Sequence, residues 1–153
     1  MQKALMTWNT AIKWIMLVSG ALTLTMVYVA IAPEAVSAED LRILARADAL
    51  LKDESVWNRQ DDRECQDDEA AGKRSLFCAL QKACIDVLGH YEHRRAALQE
   101  VRFAVEDATR GRNFEHRLRD FNNLPETRFD DIKRVLRVAT ERVTSRLKAA
   151  RQP

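Results

Sequence analysis

Apolar residues recur every three or four positions through most of the chain beyond residue 38, and glycine and proline are scarce. That period places apolar side chains along one face of a helix. Segments with this pattern, each predicted to form a helix, cover about 39–52, 76–88, 93–110 and 114–121, followed by a closing helix that Thr127 caps. The pattern therefore predicts an all-α fold, a small bundle of four or five short helices within residues 39–153.

The stretch 53–72 lacks this period and is strongly acidic. Between residues 53 and 69, eight acidic residues stand against two basic ones, Arg59 and Arg63. A charge run of this kind is typical of a solvated segment. We expect a long acidic loop here, held to the bundle by the large apolar side chain of Trp57.

The N-terminal segment has a different character, because residues 14–32 carry no charge at all. This length approaches the roughly 20 residues that a membrane-spanning helix needs. Lys3 and Lys13 precede the stretch and acidic residues follow it, so the positive-inside rule places the following domain outside the cytoplasm. Residues 1–38 are therefore predicted to be a signal peptide or a signal-anchor helix, with 14–32 in the inner membrane.

The end of this segment leaves two outcomes open. Val36 and Ala38 are small residues at the −3 and −1 positions of a signal-peptidase pattern, and Glu39 would begin the cleaved chain. Cleavage predicts a periplasmic or secreted domain. Without cleavage, the protein is a single-pass inner-membrane protein with a periplasmic C-terminal domain.

The run KWIMLVSGALTLTMVYVAIAPEA also resembles the first span of small bacterial multi-span inner-membrane proteins. No second apolar span follows it in this sequence. The resemblance implies an anchor whose later spans are replaced by another domain.

Three cysteines, Cys65, Cys78 and Cys84, bear on the compartment and on chemistry. Cys78 and Cys84 lie six residues apart on one predicted helix and face different sides, so they should not pair. In an oxidising compartment Cys65 can reach Cys78 from the acidic loop, which makes these two the candidate disulfide. Three free thiols are the alternative in a reducing compartment.

Catalytic and metal-binding patterns are weak. His90, His93 and His116 lack the spacing of a zinc motif, and the acidic loop lacks the order of a calcium-binding loop. We therefore predict no catalytic residue, no metal and no cofactor. A small enzyme that uses Cys78 with a histidine, or a metal centre, is the alternative.

The closing helix is strongly basic, with seven lysines and arginines against one glutamate over residues 133–153. A basic helix face is typical of proteins that contact anionic surfaces, which gives a second alternative, a peripheral membrane-surface binder. The whole chain has a net charge of only +2, and no nucleic acid is expected as a partner.

Several short motifs together resemble a small helical domain family of unknown function found in bacteria and their phages. They are Trp57, the helix start Cys78-Ala79-Leu80 with Ala83, the turn Phe121-Asn122-Asn123, and the closing helix from Thr127. The resemblance spans roughly residues 40–150 and implies an α fold. A glycine that often precedes Ala-Leu in that family is absent here, and no activity carries over.

Trp57, Asn122 and Asn123 form a candidate recognition pocket, since binding sites combine apolar rings with amides. A structural role is the alternative, because amides also satisfy backbone groups in turns. The leading functional hypothesis is a cell-envelope binding or structural module without catalysis.

Overall fold

A computed structural model describes residues 35–152, which belong to one compact unit, Glu34–Pro153. The predicted membrane segment 14–32 lies outside the described residues. Within residues 35–152 no helix is both long and apolar enough to cross a membrane.

Helices make up this unit, and residues 35–152 contain no named strand. The prediction of an all-α bundle is confirmed. In chain order the helices are α1 (Ala38–Leu50), a 3-10 helix (Glu54–Val56), α2 (Gln66–Ala70), α3 (Leu76–Leu88), α4 (Ala96–Thr109), α5 (Arg117–Asn123) and α6 (Phe129–Ala150).

The core lies where α1 packs on α3 and α6, and where α4 packs on α6. Its largest fully buried side chains are aliphatic and come from the predicted apolar stripes. They include Ile43, Leu44, Leu80, Leu98, Val101, Ile132, Leu136 and Val143. The bundle is therefore stabilised mainly by aliphatic burial between the four longer helices.

Helix α3 begins and ends at residues that meet the backbone requirements of a helix end. Ser75 caps α3, its hydroxyl accepting from the Cys78 amide at 3.2 Å. At the other end Gly89 adopts φ +82°, a left-handed conformation that favours glycine.

The closing helix starts differently from the prediction. Arg128, not Thr127, is the residue before α6, and its amide donates to Asp131 at 3.0 Å. Thr127 is buried and its hydroxyl donates instead to the Phe121 carbonyl at 2.7 Å. A hydroxyl can satisfy a buried carbonyl as well as a helix end, and the sequence pattern does not distinguish these uses.

The expected acidic loop also contains two short helices that the spacing of apolar residues does not reveal. The 3-10 helix and α2 fall within residues 53–72, and both are too short to show a repeating apolar face. Trp57 is buried, as expected, and pairs through its backbone with Arg74 in an isolated parallel bridge.

A disulfide joins Cys65, just before α2, to Cys78 in the first turn of α3, with Cα atoms 5.3 Å apart. Cys84, two turns further along α3, is a free and buried thiol. The crosslink closes a short segment that contains α2 and the start of α3.

Replacing both Cys65 and Cys78 by serine should lower the free energy of unfolding by about 3 kcal/mol, because the unfolded chain regains the entropy of a loop of this size. Urea denaturation without reductant measures the change. Cys84→Ala is the matched control and should lose less. Equal midpoints for the wild type and the double variant would refute the crosslink's contribution.

Candidate functional site

The three residues of the sequence-predicted pocket lie together, at the junction of α5 with the segment after the 3-10 helix. Trp57 and Asn122 are 3% and 0% exposed, whereas Asn123 is exposed. The Trp57 indole Nε1 donates to Asn122 Oδ1 at 2.8 Å.

The Asn122 amide uses both of its polar atoms. Its oxygen also accepts from the Leu76 amide at 3.0 Å, at the start of α3. Its nitrogen donates to the Asn58 carbonyl at 2.9 Å and to Asn123 Oδ1 at 3.1 Å. These bonds account for the three residues structurally, and a recognition role for them stays a prediction.

Asn123 extends the network to the acidic segment. Its Oδ1 accepts from the Asp61 amide at 2.8 Å and its Nδ2 donates to the Asp61 carbonyl at 2.9 Å. Asp61 itself is 4% exposed, and its Oδ2 has no hydrogen-bond partner among residues 35–152. Burial raises the pKa of this carboxyl.

A separate cavity of about 210 Å³ has walls that come from the acidic segment, α3, α4 and α5. Phe77 and Leu118 supply apolar surface, and most of the other lining side chains are basic or histidine. The full lining is Arg63, Phe77, His93, Arg102, Glu115, His116, Arg117, Leu118 and Arg119.

Two of these arginines pair with histidines. Arg63 Nη1 lies 2.9 Å from His116 Nε2, and Arg102 Nη2 lies 3.3 Å from His93 Nδ1. A guanidinium can only donate, so the ring nitrogen is the acceptor in each of these bonds. Among the described side chains, neither Arg63 nor Arg102 has a carboxylate partner at ion-pair distance.

Further contacts hold the side chains of Arg63 and Arg102 in position. The Arg102 guanidinium also donates to the His93 carbonyl at 3.0 Å. The Arg63 guanidinium lies over the Phe77 ring, 5.6 Å from its centroid, a cation–π contact. Arg63 has φ +70°, in the left-handed region, so the backbone at this position is held in an uncommon conformation.

Burial shifts the pKa values of two side chains in the cavity wall. It lowers the pKa of the Arg102 guanidinium, and the nearby Arg117 adds to the effect. The positive charge of Arg102, followed by burial and the charges of Arg94 and Arg63, lowers the pKa of His93. Positive groups therefore repel one another in this wall, and their field is stronger where solvent is reduced.

The other two arginines of the cavity differ, because acids neutralise them. Arg117 pairs with Glu106 at 2.9 Å, and Arg119 pairs with Asp120 at 2.7 Å. Glu115, largely exposed, lies 3.7 Å from Arg119 and 3.8 Å from His116. The uncompensated charge is thus concentrated on Arg63 and Arg102.

The structure separates the three histidines considered as metal ligands. His93 and His116 each face an arginine in the cavity, and His90 does not line it. Among the side chains that the structure describes, no cluster of three His, Cys, Asp or Glu could hold a metal ion.

Sequence reasoning missed this cavity because its polar residues are far apart in the chain. Arg63, His93, Arg102 and His116 share no spacing motif and come from four different segments. The sequence gives one weak indication of it, since Arg63 is one of only two basic residues in the acidic stretch 53–69.

Residues 36–142 match the family model described as "Family of unknown function (DUF6197)". The chain belongs to this family. Comparisons with curated proteins and with solved structures give no match. Both the Asn122 network and the arginine cavity lie within the part of the chain that matches DUF6197.

Asn122→Ala should destabilise this DUF6197 domain by roughly 3 kcal/mol, because it leaves the Trp57 indole, the Leu76 amide and the Asn58 carbonyl without their partner. Chemical denaturation measures the loss. Asn113→Ala, at an exposed asparagine, is the matched control. A loss no larger than the control's would show that the network contributes little to stability.

His93 makes the stability of the domain depend on pH. Its pKa in the folded state is lower than in the unfolded chain, where it is about 6.5. The unfolded state therefore binds more protons below pH 6.5, and the wild type should lose stability as the pH falls from 7 to 5. His93→Gln should lose less over the same range.

Thermal unfolding at a series of pH values measures this difference. His90→Gln, a histidine outside the cavity, serves as the control and should follow the wild type. Parallel curves for the wild type and His93→Gln would contradict the assignment.

Proposed function

We propose that this domain is a binding module, without catalysis, for a small anion that enters the cavity between Arg63 and Arg102. One observation carries the proposal: among the described side chains, no carboxylate lies at ion-pair distance from either guanidinium group, and each contacts a histidine ring nitrogen instead. An anionic oxygen is a better acceptor for a guanidinium than an imidazole nitrogen is.

The volume and the lining of the cavity limit the kinds of ligand that it can bind. Its volume of about 210 Å³ suits a small molecule rather than a polymer. Arg63 and Arg102 suit a carboxylate or phosphate group, and the surfaces of Phe77 and Leu118 suit a short apolar body. We therefore expect an anion with a small organic substituent.

The location of this binding module in the cell envelope rests on the sequence of residues 1–38 alone. It remains part of the proposal, as a domain either exported or anchored in the inner membrane.

The enzyme alternative has less support. Its candidate nucleophile, Cys78, is joined to Cys65, and a thiol in a disulfide cannot attack a substrate. The rings of His93 and His116 contact arginines, and His90 meets the free Cys84 thiol through its backbone carbonyl, which cannot act as a base.

The membrane-surface alternative also has less support, because much of the basic face of α6 is already paired. Lys133 contacts Asp48, and Arg146 lies 2.6 Å from Glu100. Further ion pairs join Arg134 to Asp131, Arg137 to Glu141, and Arg142 to Asp107. Acids on α1, α4 and α6 thus offset the field that an anionic lipid surface would need.

Isothermal titration with inorganic phosphate and, separately, with benzoate tests the proposal at constant ionic strength. We expect saturable binding of at least one probe to the full chain. Arg102→Gln should weaken it roughly tenfold or more, because a charge-assisted hydrogen bond is lost. Arg63→Gln, at an exposed side chain, repeats the test where folding is less at risk.

Arg137→Gln is the matched control, since it removes the same charge from an exposed position on α6 outside this cavity. It should leave the affinity within about twofold. Equal loss of binding in Arg137→Gln and Arg63→Gln would indicate non-specific charge attraction and overturn the proposal. Absence of saturable binding for both probes would overturn it as well.

A further inference from the structure

The first helix of the domain begins at the signal-peptidase pattern itself. Ala38 is the first residue of α1, Ser37 is its N-cap, and Val36 packs against the core. The first few residues of a domain are poorly ordered unless specific contacts hold them. Here the three residues that would precede the cut all belong to the described fold.

Ser37 and Asp40 form a reciprocal capping box. The Ser37 hydroxyl accepts from the Glu39 amide at 3.1 Å, and Asp40 Oδ2 accepts from the Ser37 amide at 2.8 Å. The same Asp40 oxygen accepts from the Ser37 hydroxyl at 3.2 Å. Ser37 therefore supplies both of these donors to Asp40 Oδ2.

Arg95, just before α4, joins this helix start to the rest of the bundle. Its guanidinium donates to Ser37 Oγ at 2.6 Å, to Glu39 Oε2 at 2.9 Å and to Asp40 Oδ1 at 3.0 Å. The Ala97 amide donates to Asp40 Oδ1 at 2.9 Å. Asp40 is 0% exposed, so this is a buried connection between α1 and α4.

A cut between Ala38 and Glu39 would damage this connection. It would remove both donors to Asp40 Oδ2 and one of the four oxygen partners of Arg95, the fourth being Glu92 at 3.6 Å. The buried carboxylate would lose half of its partners, and such a group is expensive to leave unpaired. The cut would also place a new ammonium group at the positive end of the α1 dipole, where a cation is unfavourable.

We infer that Val36, Ser37 and Ala38 are the structural start of the folded domain and not a processing site, so that the chain is not cut between Ala38 and Glu39. The family match independently begins at residue 36 and includes the motif. This inference does not depend on anion binding, and either can fail without the other.

Intact mass spectrometry of the full chain isolated from its native host tests the inference directly. We expect a mass whose first residue is Val36 or any residue before it. A chain that begins at Ser37 or later, with Glu39 as the specific alternative, would overturn the inference.

Two variants separate structure from processing. Ala38→Leu changes an exposed residue and disrupts the −1 position of the pattern. Its first residue should match that of the wild type. Accumulation of a longer chain in Ala38→Leu alone would show that the wild type is processed there, and would overturn the inference.

Ser37→Ala tests the structural role of the same motif. It should lower the thermal midpoint by roughly 4 °C, the effect of losing an N-cap in a domain of this size. Ser145→Ala, at an exposed serine of α6, is the control and should not shift it. No difference between Ser37→Ala and this control would overturn the structural assignment.

Discussion

The side-chain amide of Asn122 is the point on which the irregular part of this domain depends. One buried oxygen accepts from an indole on the 3-10 side and from the first amide of α3, and one buried nitrogen donates to Asn58 and Asn123. A carboxylate could not donate and an aliphatic side chain could do neither, so only an amide of this length satisfies all of these groups. The acidic segment can pack against the bundle because its backbone groups find partners here.

The sequence predicts those parts of the fold that repeat. Aliphatic side chains at helical spacing locate α1, α3, α4 and α6, because burial of one helix face is a local pattern. The two ends of α3 can also be recognised in the sequence, since Ser75 and Gly89 each meet a backbone requirement of a helix end. The prediction that Thr127 caps the closing helix is wrong. A hydroxyl before an acidic first turn looks like a cap whether it bonds to the following helix or to an earlier carbonyl, as Thr127 does with Phe121.

The cavity is harder to predict because it depends on tertiary placement. Arg63 and Arg102 look like many other arginines in a chain with 31% charged residues. What distinguishes them is that no described carboxylate lies at ion-pair distance, a property of three-dimensional neighbours rather than of spacing. Arg142 and Arg146 show the contrast, since helix packing brings Asp107 and Glu100 to them. The charges of a strongly basic segment can therefore be offset by neighbouring acids, while Arg63, in an acidic segment, has no described carboxylate at ion-pair distance.

The position of the third cysteine has a consequence for how the disulfide is preserved. Cys84 is fully buried, and burial raises the pKa of its thiol. Exchange between a thiol and a disulfide requires the thiolate, and it also requires access to the sulfur that is attacked. The folded domain therefore suppresses its own disulfide scrambling: once Cys65 and Cys78 are joined, the remaining cysteine is both protonated and out of reach. An odd number of cysteines is therefore compatible with one persistent disulfide. A third thiol is present, and the packing of α3 keeps it from exchanging with the Cys65–Cys78 bond.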